Sequence, residues 1–433
     1  MQYIYIIIYI FLLMIALLLE KAKYGVHITP ITFFVALWCI VGAFSNSGIM
    51  GYYFPSTLVN VCIISGILIV LILWIVGIRR PKELINSIRE EIKDFDFNIT
   101  VLLMIEIVLV LMLLPSFRRS INILRNYNFI ILRSAGLYGI ADEGGYSDQL
   151  MSIFVRPGFT LISLMTVLSF FNPIEKKKKR LLIGLTVFNL IIYTLTTAGR
   201  ILVVNTGIYV VIAAMIYSKG RIVSFFRERK KVLVPLLVLI ATVLYLQNLR
   251  SPDSSVLKTI YVYYCSGPSF LTKLLEVNSG KFDINHDFMF GAATFGFITN
   301  IISYALIYIT GKPQGSLYML GSVLTNNNLR VGEFNSVNAM CTCYYDFLLD
   351  WGYGGIVLGP IVVGMIFYFA YKQAARRHTW GSMCILIYMM NVMIRTVFKW
   401  ELVSTEFSFV CIYIWILSHI TVGKKINRGE DFG

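Results

Sequence analysis

The chain has 433 residues, of which 57% are hydrophobic and 14% are charged, whereas soluble globular domains are about 45–50% apolar and about 25% charged. This composition excludes an ordinary soluble domain and predicts an all-α polytopic membrane protein. The net charge of +15 does not indicate a nucleic-acid partner, because basic residues beside apolar spans are first of all orientation signals.

Membrane-crossing helices need about 17–25 apolar residues, and the chain supplies about eleven such spans, within a range of 10–12. The first, Gln2 to Leu19, has no basic residues before it and no small-residue cleavage site after it, so it is predicted to be a retained helix and not a signal peptide. The other spans are residues 29–43, 57–78, 99–117, 150–171, 181–195, 201–217, 232–247, about 338–371, 381–397 and 402–422.

The basic clusters all fall on one side when these spans simply alternate, and that side is predicted to be the cytoplasm. The chain then forms one integral membrane domain, residues 1–433, with the N-terminus outside. Two extracytoplasmic loops cover residues 118–149 and 248–337. Within the second loop, residues 288–309 are apolar enough to span, but their glycines and polar residues favour an amphipathic or in-plane segment.

The two predicted faces differ in the basic residue that they use. The cytoplasmic basics are mostly lysine, whereas the outer face is rich in arginine. Topology signalling accepts either residue, but a site that binds phosphate through a planar, permanently charged group prefers arginine. The outer face is therefore predicted to bind an anionic ligand.

Several arginines of the predicted outer face recur at helical spacing, or lie where a buried charge would cost free energy. Arg118, Arg125 and Arg133 recur at seven and eight residues, so a helix would align them, either as a ligand-binding face or as an interfacial helix that extends them to lipid headgroups. Arg156 lies within the fifth predicted span and Arg200 within a short turn, TTAGR, where an arginine needs a cavity or a counter-ion.

Near the end of the chain, Arg395 and Lys399 form a like-charged pair one helical turn apart. Such a pair is unfavourable without an anion. A bound ligand could supply the anion, and so could Glu401 and Glu406 from the chain itself.

Carboxylates supply the candidates for acid–base chemistry. Asp346 and Asp350 share one face of a predicted helix and are the first candidates for a catalytic pair. Because the outer arginines are stronger candidates for the reactive site, this pair is instead predicted to support the site structurally, with Asp350 orienting an arginine. Glu333, three residues from Arg330, is then the candidate general base, and His286 of the large loop is the alternative.

Two further acidic sites are assigned other roles. Glu106 stands in the apolar run VLLMIEIVLV, and pairing with a neighbouring helix is predicted for it. Asp94 and Asp96 form a DxD motif, but on the predicted cytoplasmic side. Asp142 and Glu143 are a weaker option for a metal on the predicted outer side. A metal-independent reaction without a cofactor is expected.

The TTAGR turn, the arginine-bearing late loop, Asn338 and the run that starts at Asp350 together resemble the Wzy-type oligosaccharide repeat-unit polymerases of O-antigen and capsule, relatives of the O-antigen ligases. Arg200 matches the arginine of that family's Gly-Gly-Arg-like turn, with Ala198 for the first glycine. The run Asp350 to Gly355 matches its Asp-Phe-Gly-x-x-Gly element, with tryptophan for the aromatic residue. The ligases carry a His-Asn pair shortly before this element, where this chain reads CTCYY.

The resemblance implies a multi-pass enzyme of a bacterial plasma membrane that joins undecaprenyl-diphosphate-linked oligosaccharides on the outer face by inverting glycosyl transfer. Its partners would be that lipid-linked substrate and membrane lipid, and it leaves open whether a chain-length regulator protein binds. Glu333 or His286 would be the base, and Asn338, Asp350, Gly352 and Gly355 would support the site. The candidate diphosphate clamp consists of Arg133, Arg156, Arg200, Arg250, Arg330 and Arg395.

Three other functions remain open from the sequence. One is an outer-face acyl or phospho-group transferase, which would predict intact polymer with altered decoration. A lipid-linked oligosaccharide flippase would be expected to have internal repeats and short loops around a midplane site, and this chain has neither a clear repeat nor short loops. A transferase that resembles the O-antigen ligases is the third, and the missing histidine counts against it.

Overall fold

The computed structural model describes residues 2–24, 29–77, 88, 92, 99–127, 131–132, 150–172, 174–217, 237–238, 240–245, 248, 256–276, 288–310, 329–333, 335–337 and 341–429. Four of the predicted site residues, Arg133, Arg250, His286 and Asn338, lie outside these ranges, and so does half of the predicted span 232–247.

Helices dominate the described residues. In chain order they are α1 (Gln2–Tyr24), α2 (Pro30–Ser45), α3 (Thr57–Gly77), α4 (Ile99–Asn126), α5 (Arg156–Phe171), α6 (Lys176–Thr197), α7 (Ile201–Tyr217), α8 (Val256–Cys265), α9 (Gly267–Glu276), α10 (Gly296–Thr310), α11 (Cys343–Trp351), α12 (Gly355–Arg377), α13 (Trp380–Arg395) and α14 (Thr405–Gly429). A small hairpin of two strands, β1 (Leu329–Arg330) and β2 (Ser336–Val337), pairs antiparallel with Leu329 opposite Val337 and Arg330 opposite Ser336.

The membrane class that the composition predicts is confirmed. Each predicted span except 232–247 overlaps one of these helices, apart from 338–371, which overlaps two, α11 and α12. The number of spans that cross the bilayer stays a prediction. Among the described residues, six segments are long and apolar enough to cross a membrane: Gln2–Lys23, Thr57–Gly77, Thr100–Asn126, Met151–Phe171, Lys176–Thr197 and Cys343–Arg377.

Several parts of the predicted external loops are helical, and α8 and α9 both lie within residues 248–337. Helix α4 continues through Asn126, so the predicted loop 118–149 begins as helix and carries Arg118 and Arg125 on it. Residues 288–295 form turns that lead into α10, which has 15 residues. That length is about 22 Å of helix, against about 30 Å for the hydrocarbon core.

The chain divides into two compact units. Unit 1 comprises Met1–Ile85, Ser255–Lys372 and Val392–Ser408, and unit 2 comprises Asn86–Ser254, Gln373–Asn391 and Phe409–Gly433.

Unit 1 is built on a run of aromatic rings. Trp38 of α2 meets Tyr344 of α11 at 5.4 Å between ring centroids, and Phe347 meets Trp400 at 5.2 Å. The Trp38 indole also donates to the Thr396 hydroxyl at 3.1 Å. Because Trp38 and Phe347 are almost fully buried, these rings fix α11 inside the unit, and α11 carries Asp346 and Asp350.

Unit 2 is built around α5, in which every residue except Arg156 and Phe170 is buried. Helix α6 runs antiparallel along it. Phe159 packs edge-on against Tyr193 at 5.8 Å between ring centroids. One to two turns deeper, the hydroxyls of Thr166 and Thr186 lie 2.6 Å apart. In two antiparallel helices, residues that face each other have residue numbers with a constant sum. That sum is 352 for both contacts, so the two contacts agree on a single register between α5 and α6.

Candidate functional site

Asp350 joins the end of α11 to the turn at residues 288–295. Its side chain is fully buried, and its two carboxylate oxygens accept hydrogen bonds from the backbone N–H groups of Ala293 at 3.0 Å and Thr294 at 2.6 Å. The backbone N–H of Phe290 donates to the Asp350 carbonyl at 3.2 Å. Asp350 therefore bonds main-chain amides, where the sequence suggested an arginine partner.

The connector between α13 and α14 contacts the same turn from another side. The Trp400 indole N–H donates to the Thr294 carbonyl at 2.9 Å. Beyond the connector, the Ser408 hydroxyl in the first turn of α14 donates to the Phe297 carbonyl of α10 at 3.0 Å. Gly296 lies so close to the Val403 backbone that an added Cβ would collide with it. The turn is thus fixed between Asp350 and this connector.

The glycines of the Asp350–Gly355 run are required by the backbone. Gly352 has φ 53° and ψ −139°, a conformation that only glycine adopts readily. Any side chain at Gly355 would collide with the Phe347 carbonyl oxygen. Trp351 packs edge-on against Phe295 at 6.4 Å between ring centroids, so its ring helps to hold the turn.

The anion beside Arg395 and Lys399 belongs to the chain. Arg395 Nη1 lies 2.8 Å from Glu401 Oε1, and Lys399 Nζ lies 2.9 Å from Glu401 Oε2. The Glu401 and Arg395 side chains are 1% and 8% exposed, whereas Lys399 is 40% exposed. Burial alone would raise the pKa of Glu401, but Arg395 and Lys399 outweigh it, and the pKa of this carboxyl is lowered.

Arg330 and Glu333 lie together on the β1–β2 hairpin. The Arg330 guanidinium donates to the backbone carbonyls of Gly332 and Glu333, and both charged side chains are exposed. The loop between α2 and α3 holds this hairpin. The Glu333 N–H donates to the Gly51 carbonyl at 3.2 Å, and the Tyr53 N–H donates to the Val331 carbonyl at 2.8 Å.

A π-helical turn, Met151–Val155, leads into Arg156 at the start of α5. The Arg156 N–H bonds the Met151 carbonyl, five residues back. Pro157 has no N–H to donate to the carbonyl of Ile153, and the Tyr413 hydroxyl donates to that carbonyl instead, at 2.9 Å. Turns of this kind are frequent at functional sites, and here the turn sets the direction in which α5 leaves the exposed Arg156.

Arg200 follows a tight turn between α6 and α7. Ala198 has φ 47° and ψ 23°, a left-handed conformation for which glycine is the usual residue. The Thr197 hydroxyl accepts from the Gly199 N–H at 3.2 Å and closes the turn. Arg200 is half-buried beside it.

The structure brings some predicted residues together and leaves others in separate settings. Arg330 and Glu333 share one hairpin, and Asp350 precedes Gly352 and Gly355 in one bend. Arg395 is also in unit 1, whereas Arg156 and Arg200 belong to unit 2. No three His, Cys, Asp or Glu side chains in the described ranges group in a way that could hold a metal ion.

Sequence reasoning missed the residues that hold this arrangement, above all Trp400, Thr294 and Tyr413. Nothing in the sequence pairs Trp400 with the 288–295 turn, because 106 residues separate the indole from its acceptor. The role of Tyr413 had a partial signal, since Pro157 predicts an unpaired carbonyl four residues earlier.

Protein-family profiles, curated proteins and solved structures were all compared with this chain, and none matches it.

Proposed function

We propose that this protein is a polymerase that joins undecaprenyl-diphosphate-linked oligosaccharide repeat units into a bacterial surface polysaccharide. The observation that carries the proposal is the pair Arg330 and Glu333, a cation and a carboxylate that are both exposed on a hairpin held by main-chain hydrogen bonds. A pre-positioned base and cation are what glycosyl transfer to a hydroxyl needs without a metal.

Backbone geometry supports the resemblance on which the substrate rests. Ala198 has the left-handed backbone that a glycine normally provides, at the position where the polymerases have the first glycine of their Gly-Gly-Arg-like turn. Gly352 and Gly355 stand at two positions that admit only glycine. These are the glycines of the Asp-Phe-Gly-x-x-Gly-like element.

The proposed reaction is a single displacement at the anomeric carbon of the growing glycan. The acceptor hydroxyl oxygen forms a bond to that carbon, and the bond from the carbon to the diphosphate oxygen breaks. The hydroxyl proton passes to Glu333, or to His286 if that residue is the base. Undecaprenyl diphosphate leaves with the electron pair, and the arginines stabilise its developing charge. Besides Arg330, the candidates are Arg133, Arg156, Arg200, Arg250 and Arg395.

The proposal includes the membrane arrangement. About eleven helices cross a bacterial plasma membrane with the N-terminus outside, and the arginine-rich loops face the extracytoplasmic side. The basic clusters on the other face, which are mostly lysine, place that face in the cytoplasm under the positive-inside rule.

The test is the length of the polysaccharide that cells make with single variants. Glu333→Gln removes the base and is expected to lower the rate by about 10²–10⁴-fold, and Arg330→Ala by about 10²–10³-fold. Both should collapse the polymer ladder to short products. Arg376→Ala, which removes an exposed arginine of α12 on the predicted cytoplasmic side, is the matched control and should leave the ladder full.

The relative effects of the variants on ladder length distinguish a reactive role of the β1–β2 hairpin from a reactive role of the carboxylates at the end of α11. Asp350→Asn should shorten the ladder less than Arg330→Ala when the amounts of membrane-inserted protein are equal. Full-length ladders in both hairpin variants would contradict the assignment. The reverse ranking would return the reactive role to the Asp346 and Asp350 pair.

A further inference from the structure

Glu106 is a buried carboxyl group to which the proposed reaction gives no role. It lies in the middle of α4, its side chain is 1% exposed, and neither carboxylate oxygen has a hydrogen-bond partner. The backbone N–H groups around it are committed to the helix, so they cannot supply one. An uncompensated charge in an apolar helix packing is costly, which makes such a residue the sign of a site.

Two other buried polar side chains face each other on the neighbouring helices. Ser163 of α5 and Asn189 of α6 have residue numbers that add to 352, so the established register places them opposite one another. They lie between the Phe159–Tyr193 and Thr166–Thr186 contacts. Ser163 Oγ and Asn189 Nδ2 are buried and without a hydrogen-bond partner.

Glu106 lies against the same α5–α6 packing. Leu109, one turn further along α4, meets Gly158 of α5, and Ile105 packs on the cluster that Leu109 joins. That cluster also contains Ile162 and Leu190, the chain neighbours of Ser163 and Asn189. The unsatisfied carboxyl, hydroxyl and amide groups therefore belong to one three-helix packing inside unit 2.

Among the described residues of the helices around Glu106, no basic group lies at its depth. Glu106 is the only Asp, Glu, His, Lys or Arg in residues 99–117, 157–171, 181–199 and 201–217, and residues 380–391 and 409–417, which belong to the helices packed on α5, contain none. Val243 of the described segment 240–245 also packs on this cluster. The other titratable groups on these elements are Cys384, Cys411, Tyr193, Tyr209, Tyr217, Tyr245, Tyr388 and Tyr413.

The nearest charges along the three helices are cationic and distant. Arg156 is seven residues from Ser163, Arg180 is nine from Asn189, and Arg118 is twelve from Glu106. At about 1.5 Å of rise per residue these separations are about 10–18 Å. None of the described helices around Glu106 supplies a neutralising cation at this depth.

We propose that Glu106, Ser163 and Asn189 form a buried proton-binding site in unit 2. With a proton on Glu106, its O–H donates to Ser163 Oγ and its other oxygen accepts from Asn189 Nδ2. All four unpaired atoms then have partners, and the site carries no charge. The unpaired amide atom is a donor, which a bare metal cation would repel, so the donor set favours a proton over sodium.

Proton binding would act on the helices that carry two of the proposed diphosphate arginines. Arg156 begins α5 two turns before Ser163, and Arg200 follows the end of α6 beyond Asn189. A protonated Glu106 bridges α4 to both helices, and loss of the proton introduces a buried charge that separates them. The site thereby links the proton concentration to the packing that supports Arg156 and Arg200.

The test measures protonation directly on the purified full chain in detergent. Infrared difference spectra between the native protein and Glu106→Gln at neutral pH should contain the C=O stretch of a protonated carboxyl, and Ser163→Ala should shift that band. The midpoint of thermal unfolding should rise as the pH falls in the native protein and lose this dependence in Glu106→Gln. Glu175→Gln, an exposed carboxyl at the start of α6, is the matched control.

The measurements run in sodium chloride and in choline chloride. Absence of the protonated band, with sodium raising the unfolding midpoint only when Glu106 is present, would overturn the proposal in favour of a sodium site. Absence of the band with no ion effect would identify an ionised structural carboxylate and would also overturn it. Because neither readout uses polymer synthesis, failure here leaves the proposed function standing.

Discussion

Asp350 and Glu106 are both buried carboxyl residues in apolar helical segments, yet their side chains differ completely in hydrogen bonding. Both oxygens of Asp350 accept main-chain N–H groups, whereas neither oxygen of Glu106 has a partner. The cause is their place in the helix. Asp350 stands next to the last residue of α11, where a turn folds back and presents free amides. Glu106 is in mid-helix, where every nearby amide is used.

A buried carboxyl near a helix end can therefore be satisfied by backbone, and its role is to position the chain. One in mid-helix must take a proton, a cation or a side chain from another helix. Glu401 adds a third setting, since it is buried in a short connector and its partners are charged side chains. The variants below separate these three settings by stability and by the sign of the pH dependence.

The largest effect is expected for Glu401→Gln, because it leaves the buried Arg395 without its carboxylate. Breaking a buried ion pair costs about 3–5 kcal/mol. Since the pKa of Glu401 is lowered on folding, its contribution is full above the unfolded-state value of about 4.3 and is lost as the pH falls through the lower folded-state pKa. Thermal unfolding in detergent from pH 7 to pH 3 measures both the loss of stability in the variant and the pH dependence of the native protein.

The control for that variant is an exposed ion pair. Glu175 and Lys178 lie 3.4 Å apart with more than half of each side chain exposed, and Glu175→Gln should cost less than about 1 kcal/mol. Equal losses in the two variants would show that burial does not distinguish Glu401.

The next largest loss in the free energy of unfolding is expected for Asp350→Ala. It removes the acceptors of the Ala293 and Thr294 amides, and an unpaired buried amide costs about 1–3 kcal/mol, so we expect roughly 2–4 kcal/mol in total. Hydrogen exchange of residues 288–296 should increase at the same time. Unchanged exchange there would mean that the turn does not depend on Asp350.

Tyr413→Phe tests the carbonyl that Pro157 leaves without a donor. Loss of one hydrogen bond to the Ile153 carbonyl should cost about 1 kcal/mol. Tyr245→Phe, at an exposed position, is the matched change and should have no measurable effect. Equal midpoints of thermal unfolding for the two variants would remove Tyr413 from the account of the π-helical turn.

The smallest effect is expected for Glu106→Gln at neutral pH, because glutamine reproduces a neutral, protonated carboxyl. The unfolding midpoint should change by no more than the equivalent of about 0.5 kcal/mol. The matched amide substitution Asp350→Asn should cost about 1–3 kcal/mol, since its NH₂ group would face a backbone donor. If the two amide variants behave alike, the contrast between the carboxyl groups fails.

Most of the fold follows from local signals in the sequence. Apolar runs predict the helices because membrane helices satisfy their own backbone groups, and the bounds of α3 and α7 agree closely with the predicted spans. The like-charged Arg395 and Lys399 predicted a nearby anion, and Glu401 is that anion. These features can be predicted because the residues that determine each one lie within a few positions of each other in the sequence.

The rest depends on contacts between distant segments. The amides that bind Asp350 come from residues 57 and 56 positions away, and the Ser163–Asn189 register exists only once α5 and α6 are packed. The hairpin that holds Glu333 needs a loop that is almost 300 residues earlier. No periodicity or propensity encodes such pairings, because they arise from tertiary packing.

The central claim, glycan polymerisation on the outer face, is tested most directly by the location of lipid-linked repeat units in cells that lack this protein. A membrane-impermeant glycan label applied to spheroplasts reports which units face outward. We predict single repeat units that accumulate in the outer leaflet. Accumulation in the inner leaflet would contradict the account in favour of a flippase, and a full polymer ladder with altered decoration would contradict it in favour of another transferase.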